Sequence, residues 1–458
     1  MTALPPSGNP APLPPVAPVA PLAALPPDDV LRTTLHDEVH ARPSARIRLP
    51  ALVVFIAVLN EGISREQEWA HLRRLPGQQD LALQDMADNF LRLRLTDHTL
   101  KWERHSEFTR YVVVQPLLEQ HGLGASEPEL LSSLVVDPAW LAAIPGRTVA
   151  AVLLAMLNHD IDDPHAALAL GQQWFGGRTV VASMMGNGHS IAVTNFRVQP
   201  DGFERMLVIA PPGTSQTRAG RISQRLLEME IYRLMALRGL PAAKAIGPVL
   251  AQAEAGLAQV TQQLEARAAS EAELLDTLIH EAARVERATA EHMYRFSATA
   301  AYDAIVGQRL TELREKAIPG TQTIGEFMQR RLSPAMATVA ATGQRLGSLS
   351  ARIERASALL RTRVDIATEA QNQQLLAKLT RGQELQLNLQ STVEGLSIAA
   401  ISYYVISLLL YGGKALKAAG LPLNPEMAAG AMIPLVLWAV WKATQRIHAR
   451  LHGEGAGP

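Results

Sequence analysis

Two apolar stretches without a charged residue close the chain, 395–413 and 427–441. The first is fed by a helical pattern that opens at Ser333-Pro334, an N-cap and N1 pair, and contains no proline until Pro422. A hydrocarbon core about 30 Å thick needs roughly 20 apolar residues of helix, so 395–441 reads as a transmembrane hairpin, with Leu421, Pro422 and Leu423 extending its second span upstream. Tyr403, Tyr404, Tyr411, Trp438 and Trp441 supply the amphipathic rings that prefer membrane boundaries. Upstream, Leu346, Leu349, Ile353, Ala356 and Leu360 recur at intervals of three and four, and Leu375, Leu379, Leu389, Val393 and Leu396 continue the stripe. Such a coiled-coil-like stripe wants another helix, within the chain (242–315) or from a second copy. Gly343, Gly347 and Gly382 argue against a regular two-stranded coil.

Between about Leu31 and Ala210 the period is that of strands. The continuous apolar run 51–59 suits a strand covered on both faces, and a helix over 64–75 follows, with Ser64 as N-cap and Gln67 completing a capping box. Residues 90–95 and 100–105 alternate apolar with charged, 108–114 follows, then 149–157, 178–185, 190–198 and 203–210. Gly186-Asn187-Gly188-His189 is hairpin turn chemistry. These elements predict an α+β or α/β domain with a mixed sheet. After Gly220 the period turns helical: Ile222, Leu226, Met229, Tyr232 and Leu237 form one face, and Gly239-Leu240-Pro241 is the expected stop. Helix then runs over 242–315, with a break expected near Ser297 and a firm one at Pro319-Gly320. The predicted layout is an arm (1–30), a mixed-sheet domain (31–240), a helical stalk (241–394), the hairpin (395–441) and a tail (442–458).

Charge fixes the orientation. Arg361, Arg363, Lys378 and Arg381 precede the first span and Lys442, Arg446 and Arg450 follow the second, whereas the turn between them holds Lys414, Lys417 and Glu426. The positive-inside rule puts both termini in the cytoplasm of a bacterial inner-membrane protein. Over the whole 458 residues, 43 Lys and Arg balance 43 Asp and Glu, which leaves no electrostatic footprint for nucleic acid. Cysteine is absent, which excludes disulfides, thiolate metal sites and cysteine nucleophiles. The first 27 residues carry ten prolines and no charged side chain; they read as a disordered arm rather than a signal peptide.

Three clusters carry candidate chemistry. His36-Asp37-Glu38-Val39-His40 could hold a metal, because His36, Glu38 and His40 share one face in a strand; the alternative is a hydrogen-bonded start of the domain, turned by Arg42-Pro43. Trp102, Glu103, His105, Glu107 and Phe108 form a second polar group, in which Glu103 and His105 could pair as base and orienting partner, or simply face solvent with cross-strand partners. The segment 213–221 precedes a helix and could hold an anion, but it lacks the Gly-Lys-Ser/Thr ending of a phosphate loop. Arg221, Arg225, Glu228, Glu230 and Arg233 read as intrahelical ion pairs. There is no nucleophile elbow and no serine-histidine-aspartate order.

Four strings, Glu38-Val39-His40-Ala41-Arg42-Pro43, Trp102 to Phe108, Gln224 to Arg233, and Thr392 to Ser397 with Tyr403-Tyr404, resemble an uncharacterised bacterial membrane family known as domain of unknown function 3422. The resemblance spans about Leu31 to Trp441 and implies a membrane hairpin without implying an activity. The layout alone is similar to CorA-type magnesium channels, which are homo-pentamers. Where those channels carry Gly-Met-Asn after the first span, this chain has Tyr411-Gly412-Gly413-Lys414, and a lysine at a pore mouth repels divalent cations. The expectation is therefore a non-enzymatic, membrane-anchored homo-oligomer whose cytoplasmic domain binds a ligand or partner through residues among His36, Glu38, His40, Arg42, Trp102, Glu103, His105 and Glu107. Its cofactor is undetermined. The alternative is a CorA-like channel or transporter lined by Glu394, Ser397, Ser402 and Ser407.

Overall fold

The computed structural model describes residues 29–33, 35–36, 45–420 and 424–453, with side chains to 446. Two compact units emerge, one comprising the chain to Gly256 with 282–351, the other 257–281 with 352–458.

The first unit is built on strand β1 (Ala51–Leu59), in which all nine residues are buried. Period-two geometry sends Leu52, Val54, Ile56 and Val58 into one core and Ala51, Val53, Phe55, Ala57 and Leu59 into another. The remaining strands are β2 (Phe90–Arg94), β3 (Thr99–Arg104), β4 (Phe108–Pro116), β5 (Arg147–Asn158), β6 (Val181–Met185), β7 (Ser190–Val198) and β8 (Glu204–Ala210). They form one sheet in the order β2-β3-β4-β1-β5-β8-β7-β6. Neighbours are antiparallel except β5 and β8, which run parallel, so the sheet is mixed as the strand pattern predicts.

Helices cover both faces. On one lie α1 (Arg65–Leu72), α2 (Pro138–Ala142) and α3 (Pro164–Trp174), contributing Leu72, Trp140, Leu168 and Trp174 to the first core. The capping box of Ser64 and Gln67 opens α1 as expected. On the other lies α4 (Gln216–Leu237), contributing Ile222, Leu226, Met229 and Met235 to the second core. After α5 (Gly239–Ala266) come α6 (Glu271–Leu313), α7 (Ile324–Arg331), α8 (Ser333–Ala418) and α9 (Pro425–Gly453).

Three features differ from the sequence reading. The helix runs unbroken through Ser297, and the break falls after Ala266, where Arg267 adopts a φ of 51° and Ser270 and Glu273 cap each other to restart α6. The segment 213–221 is not a loop: Ser215 caps α4 through the Arg218 N–H, so Arg218, Gly220 and Arg221 are already helical. Helices α2 and α3, missed in the sequence, each start on an Asp-Pro pair whose aspartate accepts the first free amides.

In the second unit, Leu257, Val260, Leu274, Leu278, Ile353 and Leu360 are buried, whereas the apolar residues of 396–411 and 427–441 are largely exposed. Among the described residues, three helical stretches are long and apolar enough to cross a membrane: Gln216–Ala266, Ile324–Ala418 and Pro425–Arg446.

Gly220 is where α4 meets the chain entering β1. A Cβ there would lie 1.7 Å from the Ala45 carbonyl oxygen, whereas one at Gly247 of α5 would meet nothing within 4 Å. Gly220→Ala is expected to destabilise the unit by about 1–3 kcal/mol through overpacking, and Gly247→Ala to leave it unchanged or stabilise it by about 0.5–1 kcal/mol. Urea unfolding followed by tryptophan fluorescence measures both.

Candidate functional site

Strands β3 and β4 carry polar residues on alternate positions, and the pleat sorts them onto two faces. Glu103 stands opposite Arg110 in the register, and Trp102 opposite Tyr111. Trp102 and Tyr111 enter the core beneath α1, with His71 stacked at 4.2 Å on Trp140 close by. Glu103 and Arg110 face α4 instead. Trp102 is therefore separated from Glu103 by the sheet itself.

On the α4 side, charges alternate from strand to helix to helix. Lys101 reaches Glu103 at 3.0 Å, Glu103 pairs with Arg110, and Arg110 lies 3.4 Å from Glu228 of α4. Glu228 also accepts from Arg309 of α6 at 2.6 Å; Arg309 pairs with Glu312, which Arg225 approaches at 3.4 Å. Burial works against the charged form of Glu103, but Arg110 and Lys101 outweigh it and hold the carboxyl at about 2. Burial likewise disfavours charge on Arg110, and Glu103 and Glu228 more than restore it. Of the helix charges expected to pair within α4, only Glu230 and Arg233 do so; Glu228 and Arg225 find partners on other elements.

Glu107, in the β3–β4 turn, pairs with Arg295 and accepts from the Tyr302 hydroxyl at 2.7 Å. Burial, then the bond to Glu107, pushes the Tyr302 phenol up. Tyr302 stacks on Tyr232 at 5.7 Å, Tyr232 meets the Phe108 ring edge-on at 6.0 Å, and His105 stacks on Phe108 at 4.5 Å. Glu103, His105 and Glu107 thus share one side of the sheet. Glu103 is engaged by Arg110 and Lys101, and Glu107 by Arg295 and Tyr302, so these carboxylates serve as compensated clamps between sheet and helices.

A carboxylate pair that sequence spacing did not reveal lies further along. Glu204 of β8 and Glu230 of α4 are both buried around Arg233, which pairs with Glu230 and lies 3.6 Å from Glu204. Burial and the neighbouring Glu230 raise the Glu204 carboxyl to about 9, so it keeps its proton at neutral pH while Glu230 takes the guanidinium. Across the sheet, burial and then Arg74 lower His71 to about 4, which keeps that imidazole neutral.

Elsewhere the predicted residues do not assemble. His36 is exposed, and Glu38, His40 and Arg42 lie outside the described residues. No group of three or more His, Asp or Glu side chains among the described residues is placed to hold a metal ion. In the first apolar span, Glu394 and Ser407 are half-buried, Ser397 donates to the Val393 carbonyl at 2.8 Å, and Ser402 is buried.

The chain belongs to the family described as protein of unknown function DUF3422, whose model matches residues 27–451. No curated protein and no solved structure matches it.

Arg110 is shared by Glu103 and Glu228, which also hold Lys101 and Arg309. Arg110→Met is expected to cost about 3–5 kcal/mol, because it leaves buried carboxylates undercompensated. Urea titration of the native chain and the variant checks this. Glu204 makes a separate pH prediction. Its folded pKa, about 9, exceeds the reference 4.5, so its contribution is complete below pH 4.5 and is lost as pH rises toward 9. Glu204→Gln should flatten the fall in melting temperature between pH 4.5 and about 9 and leave the behaviour below pH 4.5 unchanged.

Proposed function

We propose that this DUF3422 member is a non-enzymatic membrane-anchored protein, in which a charge-clamped α/β domain is carried on a self-associating helical stalk. One observation carries the anchoring: only 6% of the most apolar part of Ile324–Ala418 is buried within the protein, and only 11% of that of Pro425–Arg446. Leu396, Tyr403, Tyr404 and Leu408 on one helix, and Met427, Leu435, Trp438 and Trp441 on the other, are exposed between 47% and 74%. Water disfavours each such side chain by about 1.5–3 kcal/mol relative to an apolar surrounding, and a bilayer supplies that surrounding. The third apolar stretch, within Gln216–Ala266, is 33% buried by its own protein and needs no lipid.

The span's hydroxyls favour holding over conducting, since Ser397 is bonded to its own helix backbone and Ser402 is buried. Arg361, Arg363, Lys378 and Arg381 ahead of the first span, and Lys442 and Arg446 after the second, support a cytoplasmic domain with both ends on that side of a bacterial inner membrane.

Between the domain and the spans, Leu375, Leu379, Leu389 and Val393 are 58–67% exposed along α8. A helix with an uncovered apolar stripe is marginal alone, and a second copy of the same helix covers it with matching spacing.

Membranes washed with alkaline carbonate should retain the full chain, and detergent should be needed to release it. Recovery in the aqueous wash as a monodisperse particle overturns the anchoring. Because the native chain has no cysteine, Leu389→Cys should give an oxidant-dependent cross-linked dimer in those membranes, and Glu384→Cys, on the opposite side of the helix, should not. A monomer from both removes the self-association.

A further inference from the structure

A cleft of about 690 Å³ lies at the β6–β7 edge of the sheet unit, between the end of α3, the β7 bulge and α7. Every charged residue that lines it is an arginine: Arg178, Arg197 and Arg331. Other clefts of that unit mix signs: one has Arg74 and Arg94 with Asp97 and Asp137, another Arg178 and Arg205 with Glu127, Glu129 and Asp201, and a third Arg330 with Glu326. Arg178 is shared with Glu127 at 2.7 Å. Arg197 and Arg331 have no ion-pair partner among the described residues. Two uncompensated guanidiniums lining one cleft, from β7 and from α7, are a standing attraction for an anion with several oxygens.

The floor adds a second requirement. The β7–β8 register slips between Thr194 and Val198, and within the slip Phe196 adopts a φ of 49°, a region that a bulky side chain rarely enters. The cost is met by local bonds: the Phe196 N–H donates to Thr194 Oγ1 at 3.2 Å and the Arg197 N–H to Asn195 Oδ1 at 3.1 Å. Its result is an aromatic platform, because Phe196 stacks on Phe327 of α7 with centroids 4.5 Å apart and planes at 13°. Both rings are half-buried and line the cleft, so a flat group can extend the stack. Phe196 is supported from within the protein by the Arg233 guanidinium, 5.2 Å from its ring centroid.

We propose that this cleft binds a phosphorylated small molecule bearing a flat ring, of the nucleoside-phosphate class, with Arg197 and Arg331 on the phosphate and the Phe196–Phe327 stack on the ring. Thr321 and Gln322, which also line the cleft, offer neutral polar groups to the part between ring and phosphate. Every residue lining the cleft belongs to the first unit, so the proposal does not depend on the anchoring.

Calorimetry on the full chain in neutral-detergent micelles tests it with ADP, tripolyphosphate and glycerol 3-phosphate. ADP should bind saturably. The affinity should fall at least about tenfold in Arg197→Ala/Arg331→Ala, the loss of charge-assisted bonds, and by a similar factor in Phe327→Leu, which keeps apolar bulk but removes the flat face. Arg74→Ala, in a different cleft, should bind ADP as the native chain does. Tripolyphosphate lacks the ring and should bind at least about tenfold more weakly than ADP, with no response to Phe327→Leu. Glycerol 3-phosphate carries the phosphate of a lipid headgroup; an affinity equal to that of ADP for either ringless probe overturns the proposal. So does the absence of saturable ADP heat up to about 1 mM, or an undiminished ADP affinity in the double arginine variant. Arg197 and Arg331 are exposed, so that variant folds as the native chain does, and matched melting curves verify it.

Discussion

A buried guanidinium organises the first unit. Arg110 stands on β4 between a carboxylate of its own sheet, Glu103, and one of the covering helix, Glu228, which in turn binds Arg309 of α6. A charge at 4% exposure cannot remain there without compensation, so the sheet, α4 and α6 are held in one relative arrangement by the need to keep the chain of charges complete. Apolar contacts with the Ala, Val, Leu, Phe55 and Met156 surface of β1 and β5 are non-directional and set the register of α4 less sharply than paired charges do. The alternation of charge fixes that register, since moving α4 by one turn would displace Glu228 by about 5 Å from its place beside Arg110. Glu107, Arg295 and Tyr302 repeat the device at the end of the β3–β4 hairpin.

Much of the sheet was legible because its information is local. Strand β1 announces itself as an unbroken apolar run, and only a central strand with both faces covered needs one. The β6–β7 turn is equally readable: Gly186, Asn187 and Gly188 all take positive φ, the geometry that Asn-Gly chemistry favours. The missed helix boundaries carried signals of the same kind. Ser270 with Glu273, Thr323 with Glu326, and the Asp137-Pro138 and Asp163-Pro164 pairs are cap signatures standing in the sequence, and the structure uses each of them.

Long-range pairing was not legible in the same way. Glu228 and Arg233 lie within reach of Arg225 and Glu230 along one helix, so spacing suggests intrahelical pairs throughout. The observed partner of Glu228 on β4 is 118 residues away, and the partner of Glu230 across the layer is another acid, Glu204. Nothing in the local pattern distinguishes a glutamate that will meet arginine from one that will meet glutamate. Likewise Trp102 and Glu103 are adjacent in sequence, and their assignment to opposite faces follows from the pleat only once β3 is known to be a strand. The aromatic platform at Phe196 was hidden for a further reason: it depends on a register slip, which no hydrophobic alternation records.

The same composition serves two different surroundings, and periodicity separates them. Helix α5 is rich in alanine, leucine and valine, and its buried residues Ala243, Ile246, Leu250, Ala253, Leu257 and Val260 fall at steps of three and four, the signature of one covered face. Its remaining positions, such as Lys244, Gln252 and Glu254, are polar. In 396–411 no such division exists, because exposed Leu396, Ile401, Tyr403, Tyr404 and Leu408 point in several directions around the axis. Covering every side of a helix within a protein takes several neighbouring elements, and a bilayer does it with none. A stretch that passes a test of length and hydropathy is thus assigned to protein or lipid by whether its apolar residues keep to one side. By that measure α5 is a helix with one covered face, whereas the two C-terminal stretches are candidates for crossing a membrane.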